Sequence, residues 1–368
     1  MSAMPTHQDR TRSNILPEPL RIGALAPLTP PGWVEAGRHL LAGMELAVGD
    51  VNADGGVHGA PLELLVRDTA AQPQRAEAAV TELAALGVAA LAGEYHSVVA
   101  RAVASRADAL GVPFLCSSAV LDALTDQPTD RVARIAPAQS HGWRIYADHL
   151  LAAGHRRIAV AADPSVYWAA GTGILRDHLT PRGGTVVVLD PGDPEALCDT
   201  LAEQRVTALL LLTGHPEPAV PLVRAVRADR RMAGIMLGAP AGQPELPGWT
   251  ALLGPDGAGI PFLRYLPDHL TPLGTRAEAR LRDRLAATPS FVAFEGYDTI
   301  LVLAEVFRAQ GADRARIAAG WEQVAVDGTR GRIRFSRTPG IDVWQWVWPP
   351  VQIADRDPAD PGRFRVLR

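Results

Sequence analysis

The stretch Val88-Ala89-Ala90-Leu91-Ala92-Gly93-Glu94-Tyr95-His96-Ser97, with Val98–Leu110 and then Gly111-Val112-Pro113-Phe114-Leu115-Cys116 behind it, carries the grammar of the whole chain. Five apolar residues without polar alternation read as a strand buried on both faces. Val98–Leu110 repeats apolar residues at helical spacing and stops at Gly111, a residue that suits the left-handed position after a helix. Pro113–Cys116 is a second short apolar run. Strand, helix, strand in this order requires a crossover, and a crossover implies parallel pairing. The turn Gly93–Ser97 then lies at the carboxyl end of a buried strand. That is where open α/β sheets bind their ligands. A phenol, an imidazole and a hydroxyl at this turn make it the first candidate site.

The same alternation extends in both directions. Arg21–Leu28 reads as a strand and Val34–Val51 as a helix stopped by Asn52-Ala53-Asp54-Gly55-Gly56. Leu62–Val66 is a strand, and Gln74–Leu86 a helix closed by Gly87. The pattern breaks at Arg131–Pro137, which reads as a crossing segment. It restarts with helix Ser140–Ala153, strand Ile158–Ala162, helix Val166–Leu179, strand Thr185–Leu189, helix Pro194–Gln204, strand Ala208–Leu212, helix Glu217–Asp229 and strand Gly234–Leu237. Ile260–Leu266 is a strand that returns the chain. Helical patterns follow at Thr275–Ala287, Ser290–Ala309 and Ala312–Trp321. Gly328-Thr329-Arg330-Gly331 reads as a hairpin turn, and Ala354–Gly362 as a surface tail. The expected fold is α/β: two doubly wound lobes with largely parallel sheets, joined by a multi-crossing hinge with a ligand cleft between them. The expected division is a polar extension at 1–19, the first lobe at 20–136 and 263–325, the second lobe at 137–262, and a hinge return, hairpin and tail on the second lobe at 326–368.

Composition narrows the function. A chain of 368 residues is long enough for two cores. Hydrophobic residues make up 47% and charged residues 21%, a globular profile. Net charge is -4 and all 36 basic residues are scattered arginines, so neither nucleic acid nor an anionic membrane is an expected partner. No run of about 18 apolar residues occurs, so no direct membrane insertion is expected. The N-terminal residues are polar, with no apolar leader core and no cysteine to carry a lipid. The expected location is cytoplasmic as written, or extracytoplasmic if a leader is missing. Cys116 and Cys198 read as buried free thiols.

Enzyme chemistry finds no support. Gly171-Thr172-Gly173 lacks the rest of a nucleotide loop. Ala138-Gln139-Ser140-His141-Gly142 lacks the first glycine of a nucleophile elbow, and Ser140 reads as a helix cap. The ten histidines do not fall at zinc spacings, and Asp54-Gly55-Gly56 lacks the alternating carboxylates of a calcium loop. No catalytic residue, metal or cofactor is expected.

Seven segments, in order, resemble one family. They are Ile22–Thr29; Gly43–Val48 with Val51–Gly59, similar to a "G-x-x-L-A" helix and "N-a-x-G-G" turn; and Gly111–Ala119, similar to "G-V-P-x-i-S-p-S-A". Tyr167, Gly214-His215-Pro216-Glu217, Tyr297-Asp298 and Gly328–Phe335 complete the series. Over residues 20–345 the chain resembles the type I periplasmic binding proteins, in the branch of branched-chain amino-acid, urea and amide receptors. The Gly93-x-Tyr95-x-Ser97 turn is similar to that of a cytoplasmic amide sensor that regulates aliphatic amidase.

The resemblance implies that the turns after the third and fourth strands hold the ligand's oxygens. The expected ligand residues are Tyr95 and Ser97 on one turn, Ser118 and Ala119 on the facing turn, and Tyr167 and His215 from the second lobe. Helix N–H groups beside Ser97 suit a carbonyl or carboxylate oxygen. Gly93 lets the backbone come close. His96 is expected to point away, and Trp168 to narrow the entrance. Amino-acid receptors of the family often place a threonine where Val120 stands and an acid where Gly238–Gly242 has none. An ammonium without a carboxylate would be costly to bury. Glu94 and Glu295 are the remaining sources of charge, and Glu295 reads as a structural or solvent-facing helix residue. The expected ligand is therefore a small polar molecule such as an amide, urea or carboxylate. The expected role is a ligand sensor acting on a regulator protein, with the substrate-binding component of a branched-chain amino-acid-type ABC permease as the alternative. Homo-oligomerisation stays open.

Overall fold

The computed structural model describes residues 18–367. The chain begins β1 (Leu20–Ala26), α1 (Val34–Ala53), β2 (Leu62–Asp68), α2 (Pro73–Ala85), β3 (Ala90–Gly93), α3 (Ser97–Ala109), β4 (Phe114–Cys116) and β5 (Val132–Arg134). It continues α4 (Gln139–Ala152), β6 (Arg157–Ala162), α5 (Val166–Leu179), β7 (Thr185–Leu189), α6 (Pro194–Glu203), β8 (Ala208–Leu212), α7 (Ala219–Ala228), β9 (Met236–Gly238), α8 (Pro247–Leu253) and β10 (Phe262–Arg264). Then come α9 (Pro272–Leu285), α10 (Phe291–Gln310), α11 (Arg314–Ala319), β11 (Val326–Asp327), β12 (Arg332–Ile333), β13 (Phe335–Thr338), β14 (Ile341–Trp346), β15 (Gln352–Asp357) and β16 (Asp360–Val366).

Two sheets organise these elements. The first runs β13-β14-β5-β4-β3-β1-β2 and is parallel except for β13. The second, β7-β6-β8-β9, is parallel throughout. The uninterrupted apolar runs account for this: every residue of β3 and β8 is buried, as parallel strands under helices on both faces require. Helix starts follow local chemistry. Ser165 accepts the Trp168 N–H, and Asp193 accepts those of Glu195 and Ala196. Gly87 and Gly111 take positive φ after α2 and α3, the backbone state that lets each helix end in a tight turn.

In the first lobe α1 and α10 lie backbone to backbone. A methyl at Gly43 would stand 1.9 Å from the Ala293 carbonyl oxygen, and one at Gly296 2.1 Å from that of Leu40. The two glycines let the helices close over the sheet.

The structure corrects three readings. Arg131–Pro137 contains β5, a parallel strand beside β4, so the chain leaves the first sheet only after it. The segment after 326 is not confined to the second lobe: β14 pairs with β5 and β13 with β14, widening the first sheet. The short apolar alternation Ile341-Asp342-Val343-Trp344 was the available signal. Nor does the tail only lie along the surface: residues 358–360 are exposed, but the strand before them is built into a sheet. β15 pairs with β10 and β16, with Ile353, Ala354 and Asp355 buried. Of the expected extension at 1–19, residues 1–17 lie outside the described residues. Cys116 and Cys198 are free and buried.

Candidate functional site

Each sheet reverses its strand order at one point, between β1 and β3 in the first and between β6 and β8 in the second. Loops leaving such a switch point diverge and open a crevice at the carboxyl ends of the strands. Here the two crevices face each other and enclose one cavity of about 270 Å³. That is near the small end of the roughly 300–1,000 Å³ range of ligand pockets. The β1–α1 loop brings Trp33. The β3–α3 turn brings Tyr95, His96 and Ser97. The β4–β5 segment brings Ser118 and Val120. From the second lobe come Asp163, Ser165, Tyr167, Trp168 and Gly214, while Ala241, Tyr265 and Phe291 close the hinge side.

Rings dominate the wall. Trp33 lies 5.7 Å from Tyr95 and 6.1 Å from His96, Tyr167 lies 4.6 Å from Trp168, and Tyr265 lies 4.9 Å from Phe291. These are ordinary aromatic pair separations, and they make flat, rigid walls. Burial pushes the Tyr95, Tyr167 and Tyr265 phenols above their usual range, so all three enter the cavity as neutral O–H groups. Among the cavity-lining residues no lysine or arginine occurs, and Asp163 alone carries a carboxylate. Asp163 Oδ2 already accepts the Gly214 N–H at 2.9 Å.

The sequence-predicted residues are placed as follows. Tyr95, Ser97, Ser118 and Tyr167 all line the cavity. Ser97 is also a structural tie. Its Oγ accepts the N–H groups of Val120 and Leu121, each at 3.2 Å, and so links the β3–α3 turn to the β4–β5 segment. Ser118 Oγ donates to Glu295 Oε2 beneath the cavity floor. Ala119 does not reach the cavity; it is fully buried, and its N–H donates to the Glu94 carbonyl at 3.2 Å. His215 sits outside the cavity lining, between Trp33 at 6.1 Å and Trp249 at 5.6 Å, where it joins the lobes at the rim. Burial lowers its pKa to about 4.

Other expectations change with the geometry. His96 turns toward the cavity, and its Nε2 accepts the Trp33 N–H at 3.0 Å. That bond fixes the tautomer, and burial lowers its pKa to about 4. Glu295 is fully buried, so the solvent-facing reading is wrong. Glu94 is buried as well. Its Oε1 accepts the Tyr95 and His96 N–H groups at 2.9 and 3.0 Å, and Thr69 Oγ1 donates to Oε2 at 2.7 Å. The turn therefore uses two of its own amides internally. Ser97, Val98 and Val99, the first three residues of α3, are the ones that line the cavity. Ser140 is inside α4 and caps nothing; its N–H donates to Asp122 Oδ1 at 3.0 Å.

Sequence reasoning missed Trp33, Tyr265 and Phe291. Trp33 had a usable signal, an aromatic at the end of the loop after a buried strand. Tyr265 and Phe291 flank crossings, where no periodicity announces which way a side chain points.

Known proteins share this arrangement. Residues 19–342 match the periplasmic binding protein family. A Leu/Ile/Val-binding protein of Rhizobium johnstonii is 27% identical over 204 residues, 54% of this chain and 55% of that protein. The chain thus spans about half the length of that relative. A Leu/Ile/Val-binding protein homolog of Brucella melitensis is 24% identical over 89% of this chain and 91% of its own. Among solved structures, a leucine binding protein from Thermotoga maritima superposes with a TM-score of 0.81 at 20% identity, covering 95% of this chain and 98% of that one. A solute binding protein from R. palustris in complex with benzoate gives 0.77 at 19% identity, with 95% of each chain covered. The two-lobe fold, the facing switch points and the match over residues 19–342 lead to one conclusion: the chain belongs to the periplasmic binding protein family.

Proposed function

We propose that the protein is a solute-binding protein, not an enzyme, that closes its two lobes over a small polar ligand with a flat body: an aromatic or short-chain amide, urea or carboxylate. The observation that carries this is the inter-lobe cavity of about 270 Å³, walled by rings and floored by Ser97 at the start of α3 and Ser118 on the β4–β5 segment. An α-amino acid needs a carboxylate for its ammonium. Asp163 is the one carboxylate lining the cavity, and it is engaged with the second lobe's own backbone. The names of the relatives point to leucine, isoleucine and valine. The solved relatives also include R. palustris proteins in complex with benzoate and 4-hydroxybenzoate, and the ring-lined wall here favours that second kind of guest.

Closure follows from the contacts each lobe adds. The first lobe supplies the serines and α3, and the second adds Tyr167 and Trp168. A ligand that touches both stabilises the closed form by the difference between its affinities for the two states. Delivery to an ABC permease is the role supported by the relatives' names, and an extracytoplasmic location goes with it. The Gly93-x-Tyr95-x-Ser97 turn favours a second reading, a cytoplasmic sensor that passes its state to a regulator protein. Neighbouring genes discriminate: a permease operon supports the first, a regulator or amidase the second.

The direct test is a thermal-shift panel of benzoate, 4-hydroxybenzoate, benzamide, urea, acetamide, leucine and valine. A ligand that binds only the folded state stabilises it by RT ln(1 + L/Kd), where L is the free ligand concentration, and so raises Tm more the further that concentration exceeds its Kd. The largest shift is expected from a compound without an α-ammonium. A dominant shift with leucine or valine overturns the proposed ligand class.

A further inference from the structure

Two serines line the cavity floor, and the structure assigns them opposite hydrogen-bond polarity. A hydroxyl has one proton to give and two lone pairs to accept with. Ser97 Oγ spends its lone pairs on the Val120 and Leu121 N–H groups, both at 3.2 Å. What remains for a guest is its proton, so Ser97 meets an acceptor. Ser118 is the reverse. Its proton goes to Glu295 Oε2, so it offers the guest only lone pairs and meets a donor.

A carboxamide presents both partners side by side, a carbonyl oxygen and an N–H. A carboxylate presents acceptors only and leaves Ser118 facing another lone pair. We propose that Glu295, acting through Ser118, sets the polarity of the cavity floor, so that the site takes a carboxamide when Glu295 is ionised and the matching carboxylate when Glu295 is neutral. In the neutral state the acid proton is donated to Ser118, whose own proton then turns to the cavity. This rests on the proposed function and specifies the ligand class of that same site.

Glu295 is built for such a role. It is fully buried on α10, one layer behind the cavity. Its other oxygen, Oε1, receives Arg330 Nη1 at 3.2 Å. Arg330 is shared with Asp298, whose Oδ2 takes Nε at 2.9 Å, so one guanidinium serves two carboxylates. The remaining titratable groups around Glu295 are Tyr95, Tyr265 and Cys116, all kept neutral by burial. Burial raises Glu295 to about 7 against the pull of Arg330, with the Ser118 bond also opposing the rise and Asp298 reinforcing it. Glu94, raised to about 7 beside the Tyr95 and His96 amides, would also repel a carboxylate at high pH, and a Glu295→Gln variant separates the two.

Calorimetric titration with the isosteric pair benzamide and benzoate tests this at pH 8.5 and 5.5. The ratio of benzamide to benzoate affinity is expected to fall on the order of tenfold or more from the higher pH to the lower. Glu295→Gln fixes the neutral polarity, because its oxygen turns to Arg330 and its NH₂ to Ser118. In that variant the ratio at pH 8.5 is expected to drop to the wild-type value at pH 5.5. Ser118→Ala is expected to remove the discrimination. An unchanged wild-type ratio across this range, or an unchanged ratio at pH 8.5 in Glu295→Gln, overturns the inference while leaving the proposed function standing. If Glu295→Gln fails to fold, Glu94→Gln separates the two acids from the other side: a wild-type change in ratio that persists in Glu94→Gln supports Glu295, and one that vanishes there overturns the inference. Binding of neither compound at either pH overturns the flat-ligand reading and this inference together.

Discussion

Glu35 Oε2, on the first lobe, accepts the backbone N–H of Gly248, on the second, at 3.0 Å. It is a hydrogen bond that exists only while the lobes are together. A methyl group on Gly248 would stand 2.8 Å from the same oxygen, so the carboxylate fills the space a side chain would need. Glu35→Ala should remove one contact of the closed form and, from the first lobe alone, only the favourable place of an acid in the first turn of α1. A half-exposed bond of this kind contributes about 0.5–1.5 kcal/mol, or about a two- to tenfold change in affinity. Stopped-flow Trp fluorescence is expected to show faster ligand release with entry nearly unchanged. Gly248→Ala, which pushes the carboxylate aside, should act in the same direction. Unchanged release in both would mean the bond does not hold the closed state.

Ser97 predicts a double loss. Sequence alone marks it as a ligand donor. Its bonds to Val120 and Leu121 make it a strut between the two turns that build the floor. Ser97→Ala strands two buried amides. Each unsatisfied group costs about 1–3 kcal/mol, so both stability and affinity should fall. Urea unfolding is expected to show a lower midpoint at an unchanged slope. An affinity loss at an unchanged midpoint would reduce Ser97 to a ligand contact.

How far the sequence could be read follows the physics of each signal. Buried parallel strands advertise themselves as unbroken apolar runs, so β3, β6 and β8 were legible, and with them the switch points that hold Tyr95, Ser97 and Tyr167. β15 was not, and β14 offered only a short alternation, because strands that carry Gln345, Asp355 and Arg356 look polar until their partners are known. Arg356 is buried against backbone carbonyls of Pro244, Glu245 and Leu246, an arrangement that no local pattern encodes. The bracing bonds of Ser97, the inward turn of His96 and the burial of Glu295 all depend on contacts across long sequence separations.

Gly43 and Gly296 predict the cost of separating α1 from α10. Each glycine faces a backbone carbonyl of the other helix at a distance no side chain can occupy. Backbone cannot rotate aside as a flexible side chain would. Gly43→Ala and Gly296→Ala are expected to destabilise by about 1–3 kcal/mol or more through overpacking, despite the better helix propensity of alanine. Thermal unfolding checks this. A gain in Tm for either variant would show that the two helices are not held this closely.

The buried acids and bases pull stability in opposite directions with pH. Burial lowers His215 to about 4 from an ordinary 6.5. The unfolded chain therefore takes up a proton below 6.5 that the folded chain refuses until about 4. Stability is fully present above 6.5 and is lost as pH falls toward 4. Glu94 is the converse, raised by burial to about 7 from 4.5. The folded chain keeps a proton between 4.5 and 7 that the unfolded chain has released, so stability is lost as pH rises through this window. His215→Phe keeps a ring between Trp33 and Trp249 and removes the titration, and its stability should decline less than the wild type's from pH 6.5 to 4. Glu94→Gln keeps an oxygen for the Tyr95 and His96 amides and an NH₂ toward Thr69. It should flatten the loss between pH 4.5 and 7 by up to about 1.4 kcal/mol per pH unit. Urea midpoints of the two variants and the wild type at pH 4.5, 5.5, 6.5 and 7.5 measure both slopes. A Glu94→Gln profile parallel to the wild type would mean that this carboxyl is ionised in the folded protein throughout the range.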